Sequence, residues 1–161
     1  MAEATGCAAV LSILSEIYTT LQEYEKHTDA MINADLEVLQ GALIKRNELI
    51  DDLEELKQRL DGVIELEQEE ERILLRALIR GSFVSAPLDE AHKEIQLKQK
   101  NITICKQRIV DKDKVISGQF RNQHVDSRKE LEQLKQTKQK IGYYNSAVVG
   151  RATGQSLNKN L

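Results

Sequence analysis

The sequence predicts an all-α protein, an elongated antiparallel bundle of three to four long helices with coiled-coil-like packing. Three observations carry that expectation. Leu, Ile, Glu, Lys and Gln dominate a chain of 161 residues with one proline, no tryptophan and 4% aromatic residues, a mix that suits long amphipathic helices. Hydrophobic residues recur at alternating spacings of three and four along most of the chain, the period of a helix face and not the alternation of a half-buried strand. The breaks between these periodic stretches are short, as in bundles of neighbouring helices. One bundle domain is expected over residues 1–145, with a flexible tail over 146–161.

The first helix is expected from about Ala8 to Ile32. Val10, Leu14, Ile17, Leu21, Tyr24, Thr28 and Met31 form an unbroken three-four stripe, and Leu11, Tyr18 and Ile32 add a column beside it. The link Asn33-Ala34-Asp35 is too short for anything but an antiparallel hairpin. Asp35 then offers a side-chain oxygen to the free amides of the next first turn, an N-cap.

From Asp35 to Leu60 runs the stretch expected to be the spine. Three columns spaced by seven cover it and its continuation: Leu36/Leu43/Ile50/Lys57/Ile64, Leu39/Arg46/Leu53/Leu60 and Ala42/Leu49/Leu56/Val63. Together they make an apolar face about 120° wide, broad enough for more than one neighbour. Arg46 stands in an otherwise leucine column, so it is expected to reach the bundle edge or to pair with an acid from another helix. On that expectation Arg46→Leu leaves stability unchanged or raises it. Periodicity resumes after Gly62 through Leu78, which predicts one long helix, with a bend at Gly62, ending near Arg80 on Gly81. Glu69, Glu70 and Glu71 are expected on a solvated face.

Gly81 to Pro87 is a loop, with Pro87 placed for the first turn of the next helix and Phe83 and Val84 expected against the bundle end. The third helix carries a single column, Leu88/Ile95/Ile102/Ile109/Ile116. Beyond Ile116 the pattern weakens, and Ser127-Arg128-Lys129-Glu130 has the form of a capping box. Over 88–143 two helices with a turn between are expected ahead of a single helix, although Phe120, Ser127, Leu134 and Ile141 keep the register of seven.

The net charge of −3 divides unevenly. Residues 1–80 hold 18 acids against 8 bases and residues 81–161 hold 8 against 15, or −10 and +7. The two halves are expected to pack antiparallel, with their exposed edges attracting. Lysines scattered among acids and glutamines, without interleaved aromatics, argue against nucleic acid. Cys7 and Cys105 form no disulfide framework, have no spaced zinc partners and are expected as reduced thiols. The short apolar run Cys7–Leu14 lacks the basic flank of a signal peptide, and no stretch approaches the roughly 20 apolar residues of a membrane span, so no membrane insertion and a cytoplasmic location are expected.

Chemistry-bearing motifs are missing. His27, His92 and His124 lack the surroundings of a phosphorylated histidine, and no Glu-x-x-His pair, glycine-rich phosphate loop or nucleophile elbow occurs in the sequence. No catalytic residue, cofactor or metal site is expected, and an enzyme is not expected.

The arm DLEVLQ…LIKRNELIDDLEEL, with Lys45-Arg46-Asn47-Glu48-Leu49-Ile50 at its centre, precedes a C-terminal LEQLKQTKQKIGYYNS and a polar tail ending LNKNL. In these features the chain resembles the flagellar export chaperones of the FlgN and FliT type. The resemblance implies a small cytoplasmic bundle that binds a secreted hook-filament junction or filament-cap subunit, keeps it soluble and presents it to the export gate. It implies a surface for the client or the export gate at Ile141, Tyr143, Tyr144, Asn145, Val148 and Val149, where a tyrosine pair can anchor a partner through large contact area and polar tips; the plainer alternative has one or both tyrosines capping the bundle core against Phe83 or the first hairpin, with the tail merely disordered. The tyrosine pair after Gly142 and the longer Val/Gly tail depart from the shortest members of the family. The competing reading is a structural coiled-coil module that homodimerises through the third helix.

Overall fold

A computed structural model describes residues 2–133, with side chains from residue 6 to residue 123. These residues form four helices and no strand: α1 (Ala2–Met31), α2 (Leu36–Glu65), α3 (Glu69–Arg80) and α4 (Glu90–Gln133). The all-α bundle expected from the sequence is what they build.

The central element is α1, not α2. Val10, Ile13, Leu14, Leu21, Tyr24, Thr28 and Met31 are all buried, because α1 packs along its length on α2 with one side and on α4 with the other. Thr28, the one polar member of this stripe, donates its hydroxyl to the Tyr24 carbonyl at 2.9 Å, so its burial leaves no orphaned group. On α2 the column Leu39/Arg46/Leu53/Leu60 is buried throughout, while Leu36 and Lys57, in a flanking column, are exposed. The spine expected from α2's three apolar columns thus contributes a narrower face, since its one long neighbour in close backbone contact is α1.

Direction follows from paired residues. The hairpin makes α1 and α2 antiparallel, closed by Asn33 in a left-handed conformation (φ 57) and by the Asp35 cap, whose carboxylate accepts the Val38 amide at 2.9 Å. Between α1 and α4 the contacts advance together: Cys7 with His92, Glu25 with Arg108, Asn33 with Gln119. Hence α4 runs parallel to α1 and antiparallel to α2. The attraction between the acidic and basic halves is realised on this parallel seam. Glu25 holds Arg108 at 2.9 and 3.1 Å and Lys112 at 3.0 Å, and Lys112 also reaches Asp29 at 2.6 Å.

Antiparallel α2 already brings the chain back to the starting end of α1, where Glu71, just beyond α2, meets Cys7. The turn Leu66–Gln68 breaks the helix there, not Gly62, which stays helical and exposed. α3 then doubles back, with Arg72 and Arg76 both paired to Glu65, and stops in a Schellman motif. Gly81 takes φ 72, its amide donating to Leu78 and the Ser82 amide to Ala77. The extended stretch Ser82–Leu88 leads to Asp89, which caps α4 by accepting the His92 amide at 2.9 Å. Pro87 therefore precedes the cap and does not sit in the first turn. Val84 packs on the core, but Phe83 is 92% exposed, contrary to the expected tuck against the bundle end.

The turn expected within 88–143 does not occur up to Gln133, and 134–143 lie outside the described residues. α4 is continuous through 117–133, with no turn at the capping-box sequence around Ser127. Its core stripe Ile95/Ile102/Ile109/Ile116 is buried, as the spacing of seven predicts, and Gln119 meets the hairpin turn through a reciprocal amide pair with Asn33 at 3.1 and 2.7 Å. The helix then continues past that turn to Gln133.

Candidate functional site

Two features of the described residues have the makings of a site. The first is an open groove of about 530 Å³ between the C-terminal end of α3 and one face of α4. Leu78 forms its floor, Gly81 and Ser82 one end, and Leu97, Lys100, Thr103 and Ile104 its α4 wall. The wall exists because Leu97 and Ile104 lie one heptad apart and just off the buried Ile95/Ile102 column, so they point beside the core and not into it. They are 60% and 47% exposed. Lys93 and Lys100 flank them, giving the groove a basic rim. Exposed Phe83 stands on the loop that leaves its end. An apolar strip with cationic edges suits an amphipathic helix with an acidic flank.

The second feature is a polar cluster where α1, α3 and α4 begin. His92 Nε2 lies 2.6 Å from Glu71 Oε1 and its Nδ1 lies 2.6 Å from Asp89 Oδ1. Cys7 Sγ is 3.6 Å from both Glu71 Oε1 and His92 Nε2. Glu71 is thus drawn away from the solvated face expected for Glu69–Glu71, because the first turn of α3 lands beside α4. Burial, and next the Glu71 carboxylate, push the Cys7 thiol up to about 12. Burial pulls the His92 imidazole down, yet the hydrogen bonds it donates to Glu71 and Asp89 outweigh that and hold the ring above its ordinary value.

A third buried polar group is structural. Arg46 is 4% exposed and binds Asp113 with two N–H···O bonds of 2.9 and 3.1 Å, donates to the Tyr24 hydroxyl, and stacks its guanidinium 4.5 Å from the Tyr24 ring centroid. The expected acid partner from another helix is Asp113.

The six residues to which the sequence assigns partner binding, Ile141, Tyr143, Tyr144, Asn145, Val148 and Val149, lie outside the described residues, as does the tail 146–161. Sequence reasoning missed the Cys7–Glu71–His92 cluster because its members are 64 and 85 residues apart; the local Asp89-x-x-His92 pair was the only signal in reach. For Leu97 and Ile104 the signal was there, as a second heptad column beside the main one.

Set against family models, curated proteins and solved structures, the chain matches none of them. Among the described residues no helix is long and apolar enough to cross a membrane.

Proposed function

We propose that this protein is an export chaperone of the flagellar type, a cytoplasmic binding protein and not an enzyme. It takes up an amphipathic helical segment of a secreted hook-filament junction or filament-cap subunit, keeps that subunit soluble and presents it to the export gate. The observation that carries this reading is the groove between α3 and α4. Its apolar strip, Leu97 and Ile104 beside the buried Leu78, is left exposed among the described residues, while the column Ile95/Ile102/Ile109/Ile116 of the same helix is buried. A partner helix that lays its apolar stripe there, with an acidic edge toward Lys93 and Lys100, would cover surface that the described residues leave open. The resemblance of the α2 sequence, DLEVLQ through LIDDLEEL, to flagellar export chaperones supplies the class of client.

The test is direct binding to purified hook-filament junction and filament-cap proteins, followed by size exclusion with light scattering. A complex with one of them, lost in Leu97→Asp/Ile104→Asp with an unchanged melting temperature, supports the reading. A chain that forms a stable homodimer and ignores all of these clients sinks it in favour of a structural coiled-coil module.

A further inference from the structure

We propose that Cys7, Glu71 and His92 form a binding site for one zinc ion at the end of the bundle where α1, α3 and α4 begin. The three donors come from three helices, and their ligand atoms lie within 4.8 Å of one another. A thiolate, an imidazole and a carboxylate are the three donor types zinc accepts, with bonds of about 2.0 to 2.3 Å. Tetrahedral angles at those bond lengths put sulfur roughly 3.6 Å from nitrogen or oxygen. Cys7 Sγ already stands 3.6 Å from His92 Nε2 and 3.6 Å from Glu71 Oε1. Only the His92–Glu71 separation of 2.6 Å is shorter than ligation requires. There a hydrogen bond occupies the place of the ion, and less than about 1 Å of opening admits it.

The surroundings also fit a metal. Asp89 Oδ1, 2.6 Å from His92 Nδ1, accepts that N–H and so fixes the tautomer that leaves Nε2 as a ligand, the outer carboxylate that metal-bound histidines commonly have. Asp89 is itself held by the His92 backbone amide, which ties the ring's orientation to the cap of α4. Glu67, from the turn before α3, lies against Gly6 beside Cys7 but outside the three-donor set, so the fourth position falls to water. A hydrogen-bonded cluster with no metal affinity would need the imidazole and the two carboxylates, but it gives no reason for a thiol at ligand distance from both.

Cobalt(II) is the probe, because a thiolate ligand adds a charge-transfer band in the near ultraviolet and a tetrahedral site adds visible d–d bands. Titration of the full chain should show both, saturating at one equivalent and displaced by zinc. Cys7→Ser should abolish the charge-transfer band, Cys105→Ser should keep it, and Asp89→Asn should weaken zinc binding about 10- to 100-fold. Persistence of the band in Cys7→Ser, or its absence from the unmodified protein, overturns the proposal. Should Cys7→Ser fail to fold, zinc-edge X-ray absorption of the unmodified protein decides the matter: one sulfur in the first coordination sphere supports the site, and a sphere of nitrogen and oxygen alone overturns it.

Discussion

Arg46 on α2 and Asp113 on α4 face each other through two parallel N–H···O bonds, with side chains only 5% and 14% exposed. Burial still raises the Asp113 carboxyl against the pull of the guanidinium, and Arg46 Nε finds no partner. The pair therefore does not fully offset its own desolvation, and its main effect is to fix how α2 and α4 face each other. Arg46→Leu alone strands Asp113 in that site and should cost about 3 to 5 kcal/mol in urea unfolding, whereas the sequence alone predicts unchanged or raised stability for this substitution. Arg46→Leu/Asp113→Leu should recover most of the loss. A single substitution with unchanged stability would show that Asp113 rehydrates freely.

Glu25 should govern part of the acid response. Its hydrogen bond from Arg108, then that from Lys112, hold its carboxyl below the usual range. A carboxylate depressed in the folded state contributes stability above its unfolded value of about 4.3, and loses it as pH falls through the lower folded value. The stability difference between the native protein and Glu25→Gln should therefore be constant at about 1 kcal/mol from neutral pH down to about 4.3 and shrink below it. A difference that grows on acidification would contradict the sign.

Two glycines should respond oppositely to alanine. Gly62 is helical, and a methyl group there meets nothing within 4 Å, so Gly62→Ala should raise stability by about 1 kcal/mol. Gly81 has equal space but takes φ 72, where a Cβ is strained. Gly81→Ala should cost about 1 to 2 kcal/mol. Thermal unfolding of both variants checks the pair.

Rim charges of the groove should matter to binding and not to folding. Lys93→Glu/Lys100→Glu removes the cations beside Leu97 and Ile104, so the affinity for an acidic amphipathic partner should drop by about 1 to 2 kcal/mol, most strongly at low salt. Circular dichroism and melting temperature should not change. An affinity independent of both charge and salt would place the partner elsewhere.

Residues at fixed spacing were legible in the sequence, and residues brought together by topology were not. The stripe from Val10 to Met31 is buried as its period predicts except at Ile17, which is only partly buried while Ile13, outside the expected stripe, is buried, and the column from Ile95 to Ile116 is buried throughout, since one helix face is set by local geometry alone. The centre of the bundle was misplaced because α2 has the wider apolar face, whereas burial depends on how many neighbours a helix meets, and α1 has two. The break at Leu66–Gln68 carries neither glycine nor proline; it falls where α2 reaches the starting end of α1, a place that depends on the packing of the helices and not on a local signal. Likewise, the weak periodicity after Ile116 reads as a turn, yet α4 runs on without a break to Gln133.

The parallel docking of α4 on α1 has a kinetic consequence. Contacts between α1 and α2 close across a four-residue link, whereas those between α1 and α4 join residues 80 to 87 apart, so the hairpin should form long before the third long helix arrives. In a chain emerging from the ribosome at about 5 to 20 residues per second, the roughly 50 residues from the end of α2 to Ile116 take several seconds. Through that interval Val10, Leu21 and Tyr24 wait with one flank of α1 open to water. Nascent hairpins of this protein are therefore its most aggregation-prone species, and truncation before α4 should convert that brief state into a permanent one.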